Sequence, residues 1–346
     1  MASSLENIEK ITERLKEIYR NLGYRKYKMG KFEDYDFYAA NRDFLRTGRI
    51  LAFTDGDGKL MALKPDVTLS IIKNLKEESK VKKLFYLENV YRTNKQNGCF
   101  KEILQTGVEC IGEIDCYLQA EVITLAVSSL ETISSNYVVV ISHTELLDEM
   151  LKEICDNEVF HRRILKEIEN KSIHEAEKIC REYMIPQEKI QILKKIMKIH
   201  HKPEETIEIL RNLDIGQKGK ESAEELEKIT KVLKGAGKNV IVDFSITENR
   251  NYYSGILFEG YIEGVSDAVV SGGRYDRLLK KIGRNEGAIG FAIYMDRLLD
   301  FFKEEEPEPA EIVINYSEKS DPEEIGKEIG RLLQENKRFR LIKSEQ

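Results

Sequence analysis

The chain has little of what would place a protein outside the cell, in a membrane or on a nucleic acid. Its 346 residues include only five cysteines, Cys99, Cys110, Cys116, Cys155 and Cys180. The number is odd and no pair has Cys-x-x-Cys spacing, which excludes a disulfide scaffold and predicts reduced thiols in a cytoplasmic protein. No stretch approaches the ~18 apolar residues of a membrane span. The amino terminus, Met-Ala-Ser-Ser-Leu-Glu, has no basic segment followed by an apolar run, so neither secretion nor a membrane is expected. Basic charge is not in excess: 55 Lys and Arg stand against 61 Asp and Glu, a net charge of -6. That balance argues against an extensive phosphate-binding surface, and no nucleic-acid partner is expected. Histidine clusters are missing too. His174-Glu-Ala-Glu-Lys lacks the second histidine of a zinc-protease helix, and His200 and His201, adjacent in a helical stretch, would point to different faces. No metal site and no cofactor are expected.

What is present suffices for one large domain or two ordinary ones, with 41% hydrophobic residues to build a core. The segment from Tyr91 to Gly112 is the most informative. It predicts two antiparallel strands joined by a polar loop, Asn94 to Gly98, with Arg92 ending the first strand. Gln105 and Glu109, four residues apart on the second strand, share one face. Interior amide and carboxyl groups need partners, so this polar face suits a ligand with a cationic amine or an imidazole; a solvated sheet face is the bland alternative.

The periodicity of Leu5, Ile8, Ile11, Leu15, Ile18 and Leu22 predicts an amino-terminal helix stopped by Gly23. Asp55-Gly-Asp-Gly between two apolar runs predicts a hairpin. It does not fit a calcium loop, because Lys59 stands where an oxygen ligand is needed. Asp66 and Thr68 open an apolar helix, where they can cap it or meet a ligand's amine. Strands are expected at 82–92, 103–112 and 137–142, with a helix at about 116–133. A helical insertion follows over about 144–237, ending at Gly235-Ala-Gly-Lys. Further strands are expected at 239–244, 254–261 and 267–271. Gly272-Gly-Arg-Tyr-Asp should turn into a helix, and a strand from Gly287 should lead to Arg297 at a helix start. These elements predict an α+β fold with a largely antiparallel sheet rather than a Rossmann fold.

Four ordered motifs carry a family resemblance: Arg92 with Gln105-Thr-Gly-Val-Glu, Asn251-Tyr-Tyr-Ser-Gly-Ile-Leu-Phe-Glu, Gly272-Gly-Arg-Tyr-Asp, and Gly290-Phe-Ala-Ile-Tyr-Met-Asp-Arg-Leu. Together they resemble the histidyl-tRNA synthetase family of class II enzymes over roughly residues 1–303. The resemblance implies a six-stranded antiparallel sheet flanked by helices, with the helical insertion, in a core of residues 1–305. It also implies dimerisation and a pocket for ATP and histidine. By that resemblance Arg92 matches the arginine that holds the α-phosphate and Arg297 the motif 3 arginine. Asp66, Thr68, Gln105, Glu109, Tyr252 and Tyr253 fall on the histidine pocket.

Departures from the family pattern point away from adenylation. Where the synthetases carry Arg-Gly-Leu-Asp-Tyr-Tyr, this chain has Glu248-Asn-Arg-Asn-Tyr-Tyr, so a carboxylate replaces the arginine that meets the amino acid's carboxylate and the phosphate. Losing one charge-assisted contact costs ~1.5–3 kcal/mol before repulsion is added. Arg250, two residues on, keeps the side of a strand and is a substitute to be tested. Asn94 stands in place of an acidic residue, and Lys64-Pro-Asp-Val-Thr in place of Arg-Pro-Glu-Gly-Thr. Residues 306–346 hold only a strand, a helix and a strand, less than an anticodon-binding domain. The chain thus resembles the synthetase paralogues that serve as regulatory subunits of ATP phosphoribosyltransferase. This implies a non-catalytic protein, a short-form catalytic subunit as partner, self-association as a dimer within a hetero-octamer, and L-histidine as effector. An active shortened synthetase and a class II amino-acid sensor with another partner are the alternatives. Histidine could sit in the synthetase-like pocket or at a subunit interface.

Overall fold

The computed structural model describes residues 2–45, 49–76, 80–93, 98–246, 252–302 and 312–344, without the side chains of 2–4. At its centre six strands form a continuous antiparallel sheet in the order Lys82–Thr93, Phe100–Gly112, Gly287–Tyr294, Val270–Arg274, Ile256–Ile262, Tyr137–His143. This is the expected six-stranded sheet. Three short strands widen it to nine: Arg25–Lys26 runs parallel to 82–93 on one side, and Ile241–Asp243, then His200–His201, extend the other. Strands of two or three residues are too short to show an alternating pattern. For the same reason His200 and His201 were expected on a helix, whereas they pair with Asp243 and Val242.

Alternation along the strands gives the sheet a core on each face. Phe85, Val108, Cys110, Ile141, Phe258 and Ile289 pack against helices Ala2–Asn21 and Cys116–Ile133. The second helix is capped by Asp115, whose side chain accepts from the Leu118 N–H. The first ends as expected at Gly23, at φ +83°, where the Gly23 N–H donates to Arg20 and the Tyr24 N–H to Tyr19. The other face carries Tyr86, Val90, Ile111, Leu257, Tyr275 and Ala288 under helix Val67–Asn74. Beside that helix lies a small sheet of Phe32–Asp34, Leu60–Leu63 and Ala52–Thr54. Its hairpin is the expected one. Asp55 accepts from the Asp57 and Lys59 N–H groups, so the carboxylate serves the turn.

Six helices occupy 144–235, from Thr144–Ile154 to Gly216–Gly235. Glu225, on the last of them, accepts from Gln119 and Arg274 behind the sheet. Parallel strands Ile312–Tyr316 and Phe339–Lys343 with helix Pro322–Gln334 form a separate strand–helix–strand unit. A second expectation fails: Gly272, Gly273 and Arg274 do not turn but lie within a central strand, and helix Asp276–Lys281 begins beyond Tyr275. The glycines are there for space. A Cβ at Gly272 would meet the Gly290 carbonyl oxygen and Phe291 Cβ at 2.5 Å, and one at Gly273 would meet Tyr253 Cδ1 at 2.7 Å. Among the described residues no helix is long and apolar enough to cross a membrane.

Candidate functional site

On the face under helix 67–74 the sheet opens into a small polar cleft. All six residues expected in a histidine pocket line it: Asp66, Thr68, Gln105, Glu109, Tyr252 and Tyr253. Three chain segments bring them together. Residues 105 and 109 share a face because a strand repeats every two residues. Asp66 and Thr68 arrive at the amino end of helix 67–74, and the paired tyrosines lead into strand 256–262.

Asp66 does two jobs. One carboxylate oxygen caps helix 67–74, accepting from the Leu69 N–H at 3.0 Å, and the other accepts from Arg92 Nη2 at 2.9 Å. Arg92 Nε donates to the Pro65 carbonyl at 2.8 Å. The guanidinium is therefore held against the cleft wall by groups of the chain itself. Next to it, Lys64 is completely buried and donates to Glu88 at 2.7 Å.

Glu109 is the group that gives the cleft its character. Its carboxyl accepts from Thr68 Oγ1 at 2.6 Å and from the Tyr275 hydroxyl at 2.5 Å. Burial pushes its pKa up to about 8, against the lowering effect of those two hydroxyls and with help from the nearby Asp66 charge. Room for the carboxyl comes from Gly290 on the neighbouring strand, where a Cβ would lie 1.9 Å from Glu109 Oε2. Gln105 is almost as deep. Among the described residues its Nε2 is buried without a hydrogen-bond partner. Leaving such a donor unmet costs about 1–3 kcal/mol, so an acceptor in the cleft, from water or a ligand, is favoured there.

Phenols and rings close the cleft. Tyr252 contacts Phe44, Tyr253 and Tyr275, with ring centroids 6.1, 5.0 and 5.7 Å apart. Burial raises Tyr252, Tyr275 and Tyr86 well above the usual phenol range, so each is a neutral donor or acceptor. A cavity with a buried amide donor, a carboxyl held only by two neutral hydroxyls and a ring of neutral phenols can take a small zwitterion whose amine meets Glu109 and whose acceptor meets Gln105. Sequence patterns did not mark Tyr275, Tyr86, Phe44 or Tyr294 as lining residues. Tyr275 stands in a motif noted for its glycines, and nothing in its spacing signals that its hydroxyl reaches Glu109.

Arg297 does not join the cleft lining. It sits in the short helix Met295–Leu298, donates to the Ala268 carbonyl and places its guanidinium 4.3 Å from the Tyr294 ring centroid. Asn94, Glu248 and Arg250, the positions of departure, lie outside the described residues.

A family model described as Histidyl-tRNA synthetase matches residues 2–298. The chain is 30% identical to the ATP phosphoribosyltransferase regulatory subunit of Clostridium kluyveri, over 89% of this chain and 79% of the relative. The chain belongs to the ATP phosphoribosyltransferase regulatory subunit family, built on the histidyl-tRNA synthetase fold. A solved member, the ATP phosphoribosyltransferase regulatory subunit/histidyl-tRNA synthetase from Bacillus halodurans C, superposes with a TM-score of 0.82 at 25% identity, over 98% of this chain and 89% of that one. The same fold recurs in a chain of the ATP phosphoribosyl transferase (HisG:HisZ) complex from Thermotoga maritima, with a TM-score of 0.67 at 20% identity, over 83% of this chain and 97% of that one.

Proposed function

We propose that the chain is a non-catalytic subunit that assembles with a short-form ATP phosphoribosyltransferase, raises its activity and carries histidine feedback through the cleft. The observation that carries this is the pairing of a ligand-ready amino-acid end with a committed phosphate end. Among the described residues Gln105 Nε2 has no hydrogen-bond partner and Glu109 is held by two neutral hydroxyls and no cation, while Arg92, the guanidinium assigned to the α-phosphate by resemblance, is bound to Asp66 and Pro65. Asp66, Thr68, Gln105, Glu109, Tyr252 and Tyr253 form the histidine site in this proposal. Arg92 and Arg297 are remnants of a nucleotide site. Histidine acts by binding one state of the assembly more tightly than another. A dimer of this chain is the unit that docks on the catalytic subunit, within a hetero-octamer.

The test adds this chain to a short-form ATP phosphoribosyltransferase. Turnover is expected to rise, and added L-histidine to reverse the rise. The chain alone should show no histidine-dependent ATP–pyrophosphate exchange; such exchange would establish an active synthetase and sink the regulatory reading. Titration of the isolated chain with L-histidine, repeated for Gln105→Ala and Glu109→Ala, locates the effector. Unchanged binding in both variants removes histidine from the cleft and moves it to a subunit interface.

A further inference from the structure

Behind the sheet four polar groups meet where an apolar core would be expected. Gln119 and His143 are fully buried there, and both point at Glu225 of helix Gly216–Gly235. Gln119 Nε2 donates to Glu225 Oε1 at 2.6 Å. His143 Nδ1 accepts from the Leu146 N–H at 3.2 Å, so the ring proton sits on Nε2 and faces Glu225 Oε2 at 3.3 Å. Arg274 Nη1 reaches Glu225 Oε1 at 3.4 Å, long for a hydrogen bond but close for opposite charges. These contacts, that of His143 first, lower the Glu225 pKa to about 2, so the carboxylate is charged. A buried polar joint adds little net stability over apolar packing; what it can fix is geometry.

Arg274 is the link to the cleft. Its Nε and Nη2 both lie 2.9 Å from Asp276 Oδ2, and Asp276 Oδ1 accepts from the Ala288 N–H at 3.0 Å. Between the two stands Tyr275, whose N–H donates to the Ala288 carbonyl at 2.8 Å and whose hydroxyl donates to Glu109 at 2.5 Å. Adjacent extended residues turn to opposite faces, so Arg274 meets the helical insertion and Tyr275 the cleft. The other end of the insertion is tied in the same way. Thr144, the first residue of helix Thr144–Ile154, donates its N–H to the Gly255 carbonyl at 2.8 Å, and its hydroxyl accepts from the Gly255 N–H at 2.9 Å. Gly255 lies two residues beyond Tyr253. Both ends of the insertion are thus bonded beside tyrosines that line the cleft.

We propose that Glu225 is a positioning residue for the cleft, holding Arg274 so that the adjacent Tyr275 hydroxyl meets Glu109, and that occupancy of the cleft is thereby coupled to the helical insertion. The inference rests on the reading of the cleft as a histidine site and deepens it by naming the element that senses occupancy. Such coupling is reciprocal: what Glu225 contributes to ligand affinity, the ligand contributes to the order of the insertion.

The experiment titrates the full chain with L-histidine in a calorimeter, comparing the wild type with Glu225→Gln, Tyr275→Phe and the double variant. Glutamine keeps the shape, and Gln119, whose Oε1 has no partner among the described residues, can turn to meet the new amide, but the charge opposite Arg274 is gone. Glu225→Gln should lower histidine affinity about fivefold or more, the lower end of coupling between sites. In the Tyr275→Phe background the same change should cost nothing further, because the hydroxyl it positions is absent. Hydrogen exchange read by mass spectrometry should show histidine slowing exchange in helices 144–154 and 216–235 of the wild type and not of Glu225→Gln. Arg274→Lys keeps a charge but not the fork that holds Asp276 and Glu225 together, so it should behave as Glu225→Gln does. Circular dichroism checks that each variant folds, and Arg274→Lys gives the same comparison from the other end of the contact should Glu225→Gln unfold. Wild-type affinity in Glu225→Gln, or losses that simply add in the double variant, overturns the positioning role and leaves the histidine cleft standing. A wild-type chain that binds no histidine overturns both.

Discussion

Replacing Glu109 with glutamine tests the electrostatics of the cleft without a ligand. In the folded chain the carboxyl stays protonated up to about pH 8, because burial disfavours its charge, while in the unfolded chain it ionises near its ordinary value of 4.5. Between those values the native state binds a proton that the unfolded state has lost, so stability falls as pH rises through the window. The contribution is absent below pH 4.5 and fully developed above pH 8. The window from 4.5 to about 8 is about 3.5 units wide and each unit is worth about 1.4 kcal/mol, so the penalty reaches on the order of 5 kcal/mol. Glutamine keeps the shape and cannot ionise. The hydroxyls of Thr68 and Tyr275 can each donate to its carbonyl or accept from its amide. Glu109→Gln should therefore match the wild type near pH 5 and exceed it increasingly toward pH 8. Urea denaturation followed by circular dichroism at intervals from pH 5 to 8.5 measures this; the chain has no tryptophan to report by fluorescence. Because every other titrating group is common to both proteins, the difference between the two curves isolates Glu109. A difference that does not change with pH would refute the assignment of a neutral, buried carboxyl.

Three further outcomes follow from the same geometry. Gly290→Ala places a methyl group 1.9 Å from Glu109 Oε2 and 2.5 Å from the Val108 carbonyl oxygen, so overpacking should cost roughly 1–3 kcal/mol and abolish histidine binding in calorimetry. Gln105→Leu removes an orphaned donor, so the free protein should gain about 1 kcal/mol or more in denaturant while histidine affinity drops at least tenfold; loss of both would mean that Gln105 has an internal partner. Thiol titration of the native chain should modify the exposed Cys99 first. Buried Cys110 and Cys180, whose pKa values burial pushes up to about 12 and about 11, should react only on unfolding.

Some of this was legible before any coordinates. Strand signals marked five of the six central strands closely and overlapped the sixth, 270–274, only at its first two residues, and the glycine stop at Gly23 and the Asp55 hairpin were readable because turn chemistry is local. Gln105 and Glu109 could be placed on one face by spacing alone. Their convergence with Asp66, Thr68, Tyr252 and Tyr253 came from resemblance, since no local rule links residues 66, 109 and 252. The glycines at 272 and 273 misled for a physical reason: glycine signals a turn as readily as a close approach between packed strands, and only the positions of Phe291 and Tyr253 decide which.

Residue type and spacing alone set the strand and helix periods, the acidic balance and the common face of Gln105 and Glu109. Only the tertiary fold binds Arg92 to Asp66, leaves Gln105 Nε2 without a partner among the described residues, and brings Tyr275 and Thr68 onto a neutral Glu109. Hydrogen bonds and desolvation act over a few ångströms between groups as many as 166 positions apart in the chain, a distance that no sequence pattern spans.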